Sequence, residues 1–167
     1  MIREMRVADC DRVAEIRVAG WRHAYRGLVP QPYLDRMDPV AAARWHRELL
    51  TGAGPGVVNL VAEHDGRVAG WACLGPNRGP EPGSELYALY VDPDRHRTGL
   101  GSALLRRCLP AGETVHVWVV SGNVPALRFY AHHGFAPDGA REPFAVDGVE
   151  VPEVRYVLSS PGVSPSA

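Results

Sequence analysis

The 167-residue, 18.2 kDa chain has the size of one ordinary globular domain. Its 46% hydrophobic and 22% charged residues match an average soluble protein, which excludes a disordered, charge-rich chain. With 18 basic against 19 acidic side chains and a formal net charge of −1, a large phosphate-backbone footprint is excluded, so nucleic acid is not an expected partner. Every basic residue is arginine, which reads as codon bias of a GC-rich genome before it reads as chemistry. Three widely spaced cysteines, Cys10, Cys73 and Cys108, contain no CxxC and suggest neither a disulfide framework nor a zinc knuckle. Met1 to Arg6 holds no apolar signal core, and no apolar run approaches the ~20 residues that span a bilayer. A reducing cytoplasm is the expected setting, with no membrane and no metal among the partners.

Residues 2 to 6 read as a short strand, and Asp9 as the N-cap of a helix in which Val13, Ile16 and Ala19 recur at helical spacing. Gly20 weakens its end, and Trp21 to Pro30 reads as helix end into loop. A second helix is predicted from about Pro39 to Leu50, with proline in its first turn, closed by Thr51 to Gly56. There the period changes. Val57 to Ala62 is apolar and β-branched, and Asp65-Gly66 before Val68 to Leu74 signals a two-residue hairpin. After a loop over residues 75–84, Leu86 to Val91 reads as a central strand ended by Asp92-Pro93-Asp94. Leu100, Ala103, Leu104, Arg107 and Cys108 predict a helix from about Thr98, stopped by Pro110 and Gly112. Val115 to Val120 is a further strand, and Asn123 caps a helix carrying Ala126, Leu127, Phe129 and Tyr130, with Gly134 at its C′ position. Two closing strands are expected near Phe135 and over Val154 to Leu158. The order predicts an α/β (α+β) fold, a mixed sheet with helices on its faces. One domain covers residues 1–158, and the tail 159–167 is expected to be disordered.

The sharpest chemical signal runs from Val91 to Leu105: a strand, an arginine-rich turn and a helix opened by Gly99 and Gly101. The first turn of a helix leaves four N–H groups unpaired, its dipole adds positive potential, and glycine lets phosphates reach the bare backbone. Residues His96 to Ser102 therefore read as an anion cradle. The P-loop spacing and its lysine are missing, as is the third glycine of a dinucleotide fingerprint. Taken alone, the same GxG is also what a tight strand-to-helix turn requires.

Three runs together narrow that choice. His96-Arg97-Thr98-Gly99-Leu100-Gly101 follows a strand in the pattern (Gln/Arg)-x-x-Gly-x-(Gly/Ala), with histidine at the first position. Asn123-Val124-Pro125-Ala126-Leu127-Arg128-Phe129-Tyr130 leads to Gly134-Phe135, and Trp21-x-x-x-Tyr25-x-Gly27-Leu28-x-Pro30 precedes both. On these residues the chain resembles the Gcn5-related N-acetyltransferases, the GNAT superfamily, and is similar to its bacterial members over almost its whole length. The resemblance implies the GNAT acyl-CoA N-acyltransferase fold: a mainly antiparallel seven-stranded sheet whose fourth and fifth strands are parallel and splayed, with about four helices.

It also implies acetyl-CoA as cosubstrate and no metal. Leu89 and Val91 would pair their backbone with the pantetheine arm, and the cradle of His96, Arg97, Thr98, Gly99, Leu100, Gly101 and Ser102 would take the phosphates. Asn123 would bond the pantetheine side, flanked by Ala126 and Phe129. Tyr130 matches the tyrosine that protonates the leaving thiolate, since a phenol of pKa about 10 stays protonated at neutral pH. Glu85 matches the glutamate base of histone-modifying relatives; ordered waters serve other members, and His116 is a second candidate. Trp21, Tyr25 and Tyr33, near Arg22 and Arg26, fall where the family walls its acceptor site, though the same aromatics serve equally as core packing. Glu153 and Arg155 share one face of the last strand and point to the same cleft. His132-His133 is rejected as a metal pair because adjacent helix residues diverge, and Cys73 and Cys108 sit in apolar settings where a thiol is inert.

The implied reaction is acetyl transfer to a primary amine of a small molecule by direct attack in a ternary complex. A protein or peptide N-acetyltransferase and a non-catalytic acyl-CoA-binding sensor are the alternatives. A homodimer is expected from the resemblance alone.

Overall fold

The computed structural model describes residues 1–160. Seven strands form one sheet in the order β1-β2-β3-β4-β5-β7-β6: β1 (Ile2–Glu4), β2 (Val58–His64), β3 (Arg67–Pro76), β4 (Ser84–Val91), β5 (Val115–Val120), β6 (Ala136–Val146) and β7 (Val149–Leu158). Every neighbouring pair is antiparallel except β4 and β5. The helices are α1 (Cys10–Ala24), α2 (Gln31–Arg36), α3 (Pro39–Thr51), α4 (Leu100–Cys108) and α5 (Val124–His132). The mixed sheet and its parallel pair agree with the sequence reading.

Alternation along the strands divides the core in two. Ala72 and Leu74 of β3 and Val115, Val117 and Val119 of β5 pack with Leu104, Leu105 and Cys108 of α4 and Tyr130 of α5. On the opposite face, Trp71 and Cys73 pack with Cys10, Val13 and Ile16 of α1. A third cluster on that second face joins Val29 and Leu34 to Val120, Val146 and Val151, with Trp21, Tyr25, Tyr33 and Phe144 against it.

Several local expectations change. The first strand stops at Glu4, because Val7–Asp9 forms a 3-10 turn. Asp9 stands at the N-cap position of α1 without capping it, since its carboxylate accepts from Arg6 N (2.7 Å) and pairs with Arg3 (2.7 Å). Helix α4 begins at Leu100 rather than Thr98, with Gly99 as the left-handed N-cap. Between Pro30 and Pro39, where no element is expected, lies the short α2. The closing strands are much longer than expected and form one hairpin turned at Asp147-Gly148 (φ 48° and 74°), the same two-residue device as Asp65-Gly66 (φ 51° and 73°). The tail expected from Ser159 lies outside the described residues from 161 onward, while Ser160 Oγ still donates to Gly112 O (2.9 Å). No helix among the described residues is long and apolar enough to cross a membrane.

Candidate active site

The site begins with a break in the sheet. Strands β4 and β5 pair only at Ser84 with Val115 and Glu85 with His116, then separate. Just beyond, β4 carries a bulge: Leu86 faces Leu74 and Ala88 faces Cys73, which leaves Tyr87 as the extra residue. A bulge bends its strand and increases its twist, so β4 swings away from β5 where their pairing ends. Residues 87 to 91 of this central strand are consequently only half-buried, whereas Ser84, Glu85 and Leu86 are buried. Asp92 N donates to Ala69 O (2.8 Å). By alternation, the backbone groups of Leu89 and Val91 turn away from β3 toward the gap.

At the mouth of the gap, the Asp92–Ser102 turn is held by its own side chains. Asp92 pairs with Arg12 of α1, and Thr98 Oγ1 donates to Arg95 O (2.6 Å). The His96 imidazole Nε2 contacts Val91 O (3.1 Å), tying the turn to the end of β4. Arg97 (φ 63°) and Gly99 (φ 84°) are both left-handed, and a Cβ at Gly99 would meet nothing within 4 Å, so the opening of α4 is bare. Behind it, a Cβ at Gly101 would meet the Phe129 ring at an ordinary contact distance of 3.5 Å, so α5 backs the start of α4. Ser102 Oγ and His133 Nε2, 2.9 Å apart, join the start of α4 to the end of α5. An anionic, phosphate-bearing arm fits this donor set and this open backbone.

Under the gap lies Tyr130, 7% exposed, its ring edge-on to Phe129 (5.3 Å) and Phe135 (5.5 Å). Burial raises its phenol well above the ordinary range, and the phenol of Tyr90 adds to the push. Tyr90 belongs to the other face of the sheet, so the two phenols interact across the opening. Asn123 Oδ1 accepts from Ala126 N (3.3 Å) and caps α5. Ala126 and Phe129 line the same side, half-buried.

On the α1 face, Trp21 packs with Tyr25 (4.8 Å), Tyr33 (6.0 Å) and Phe144 (6.4 Å), and its Nε1 donates to Tyr90 Oη (2.9 Å). Arg17 lies over both Trp21 (5.3 Å) and Trp45 (5.0 Å). Tyr25 has its phenol pushed well up by burial, then by Tyr90. The aromatics thus form one wall that is both packing and cleft. Arg22 is committed elsewhere, to Leu34 O (3.0 Å) and Met37 O (2.8 Å).

The acidic residues fall into different settings. Glu85 is 2% exposed at the base of the gap, and Arg78 covers it through Nη2 to Oε1 (2.5 Å) and through its backbone N to Oε2 (3.0 Å). Beside it, His116 is 4% exposed, with Nδ1 3.3 Å from Ser84 O. Arg155 stacks over Trp118 (5.6 Å) and is held by Asp138 (2.6 Å) and Glu81 (3.0 Å). Glu153 shares its face, and its carboxylate is drawn into no ion pair or hydrogen bond among the described residues. Burial pushes its carboxyl up to about 7, the neighbouring Glu142 and Glu85 also raising it and Arg78 opposing them. Burial likewise raises the thiols of Cys73 to about 12 and Cys108 to about 11, both away from the gap.

Three residues of this arrangement escape a sequence reading. Tyr90 follows from strict alternation with Leu89 and Val91, which puts it on the α1 face of the sheet. Arg17 stands one helical turn before Trp21. Phe144 had no signal until the length of β6 was known.

Residues 15–135 match the model of the acetyltransferase (GNAT) family. The chain is similar to the uncharacterized N-acetyltransferase YuaI of Bacillus subtilis, 32% identical over 162 residues that cover 92% of this chain and 89% of that one. It is also similar to the uncharacterized N-acetyltransferase Rv2669 of Mycobacterium tuberculosis, 40% identical over 141 residues covering 81% and 88%. Among solved structures it resembles yncA of Salmonella typhimurium with its cofactor acetyl-CoA, at 25% identity and a TM-score of 0.67, covering 100% of this chain and 98% of that one.

Proposed function

This chain belongs to the acetyltransferase (GNAT) family, and from that membership we propose that it moves the acetyl group of acetyl-CoA onto a primary amine of a small molecule, by direct attack in a ternary complex. The observation that carries the reading is the gap between β4 and β5, with a bare helix opening at its mouth and a buried tyrosine beneath it. The amides from Arg97 to Ser102 would hold the phosphates, and the backbone of Leu89 and Val91 the pantetheine amides. His96, whose ring contacts Val91 O, braces that turn. Acetyl-CoA supplies an activated acyl group; the protein supplies alignment, charge stabilisation and proton transfer.

Tyr130 is the proton donor to the departing sulfur. Burial keeps its phenol protonated at any physiological pH. A thiolate released into the same gap would lose hydration as well, and its appetite for that proton would rise accordingly. Unpaired β4 amides beside the bulge stabilise charge building on the carbonyl oxygen. Trp21, Tyr25, Tyr33 and Phe144 receive the body of the acceptor; their apolar surface and the near-neutral charge of the whole chain favour a small molecule over an extended acidic or basic peptide.

Calorimetric titration with acetyl-CoA, followed by thiol release over a panel of amines and peptides, tests this reading. Micromolar binding with thiol release on small amines is the expected result. Release on peptides alone would move the acceptor to protein, binding without any turnover would favour a sensor, and no binding would remove the cradle.

A further inference from the structure

The amine that attacks a thioester must first lose a proton, and the acetyl-transfer reading above leaves open which group takes it. We propose that Glu153 is the catalytic base, and that the acceptor enters as an ammonium ion on an apolar, aromatic-sized body. This inference rests on that reading and adds a residue to it.

The argument is positional. Glu153 pairs with Val120 at the far end of β5, where the gap has opened, and with Glu142 across β6. Its neighbours two residues away share its face: Val151 packs in the cluster that holds Trp21, Tyr25 and Tyr33, and Arg155 lies over Trp118. The Glu153 carboxylate therefore stands on the acceptor side of the sheet. Its field acts on the phenols of both Tyr25 and Tyr90, and the Tyr130 phenol is coupled to the same pair, raised by Tyr90 and itself raising Tyr25. Acid, wall and Glu153 converge on one opening.

The other carboxylates near this opening are occupied. Arg78 covers Glu85 with both a guanidinium and a backbone N–H, which commits its lone pairs before any amine arrives. Arg155 is consumed by Glu81 and Asp138, so the nearest guanidinium on the same strand does not neutralise Glu153. Like charges directly across two strands, as Glu142 and Glu153 are, destabilise a sheet unless something offsets them. A cation arriving between them would do so. The charged or titratable groups facing Glu153 are thus Tyr25 from just past the end of α1, Tyr90 from β4, Glu142 from β6, and Arg78 and Glu85 from the β3–β4 side.

The proton balance closes. Glu153 takes one proton from the ammonium, the nitrogen lone pair forms the C–N bond, and the C–S electron pair leaves with sulfur. Tyr130 gives its proton to that sulfur and recovers one from the acylated nitrogen. Glu153 then loses its proton to water, and ammonium plus thioester has become amide, thiol and one released proton.

The test uses the full chain, acetyl-CoA and 2-phenylethylamine as the acceptor probe. In the wild type, kcat/KM should rise to a plateau through about pH 7. Glu153→Gln should lower it about 10²-fold at neutral pH, leave acetyl-CoA binding intact, and replace the plateau by a tenfold rise per pH unit toward the amine's own pKa. Glu85→Gln should retain the limb near 7. A readout that needs no turnover accompanies these: carbon-13 carboxyl spectra should contain one glutamate titrating near 7 that is absent from Glu153→Gln, with its midpoint falling when 2-phenylethylamine is added. An unchanged pH profile in Glu153→Gln, loss of the limb in Glu85→Gln instead, or no carboxyl titrating near 7 would each overturn the role of Glu153. Failure of acetyl-CoA to bind the wild type would overturn the acetyl-transfer reading itself.

Discussion

Replacing Tyr130 by phenylalanine removes one oxygen from the base of the gap and nothing else. The ring is 7% exposed and keeps its edge-on contacts to Phe129 at 5.3 Å and Phe135 at 5.5 Å, and the hydroxyl makes no hydrogen bond among the described residues. Fold stability should therefore change by less than about 1 kcal/mol, and acetyl-CoA affinity, which the proposed cradle and β4 edge would set, should barely move. Turnover should not survive so well. A positioned general acid contributes on the order of 10²-fold, so kcat should fall by about that factor, or about 2.7 kcal/mol of barrier. The wild type should also lack a descending limb from Tyr130 up to about pH 10, because burial holds the phenol above its ordinary pKa and hence protonated. Steady-state thiol release, calorimetry with acetyl-CoA and a thermal melt on both proteins separate these terms. A kcat within about threefold of wild type, or a loss that tracks weakened acetyl-CoA binding, would refute proton donation as the task of Tyr130.

Gly99→Val places a β-branched side chain at φ 84° over space now open above the helix start, so acetyl-CoA binding should weaken at least about tenfold; retained affinity in calorimetry would mean that the phosphates sit elsewhere. At Gly70 an added Cβ would stand 2.8 Å from Leu104 Cδ1 and 3.2 Å from Tyr90 O, and Gly70→Ala should cost about 1–3 kcal/mol in denaturant melts by pushing α4 off the sheet; a neutral result would contradict that packing. His46, 2% exposed between Trp45 (4.9 Å) and Trp71 (4.8 Å), has its pKa lowered to about 4 by burial and then Arg17. Its unfolded form binds a proton near 6.5, so the neutral folded form contributes about 3 kcal/mol above that pH, lost as pH falls from about 6.5 toward 4. Melts of His46→Leu over that range should be flatter than wild type, and an identical slope would assign the acid sensitivity to other groups.

Much of this molecule can be read from local chemistry. The strands β2, β3 and β5, the helices α1, α3, α4 and α5, and the turn at Asp65-Gly66 follow from periodicity and from residues that cap or break, each within a few positions of where it forms. The cradle is equally local: helix-opening amides, left-handed Gly99 and the neighbouring Arg97 are consecutive in the chain. Tyr130 is singled out by resemblance to a family motif that spans one helix and the turn after it, since its helix face alone reads equally as core. The β6–β7 hairpin exceeds what the local pattern predicts, because Pro137, Pro143 and Pro152 interrupt that pattern and only pairing across the hairpin overrides such local breaks.

What the sequence determined by itself is therefore most of the elements, the mixed character of the sheet and the glycine-opened turn before α4, each resting on residues close together in the chain. What only the tertiary structure decided is the state of the acidic groups. Glu85 and Glu153 are similar carboxylates at strand positions, and nothing within a few residues distinguishes them as bases. The distinction comes from Arg78 folding onto Glu85, from Asp138 and Glu81 occupying Arg155, and from Glu142 arriving opposite Glu153 across a hairpin. Desolvation and charge act through space over a few ångströms, and those distances exist only once the sheet has closed.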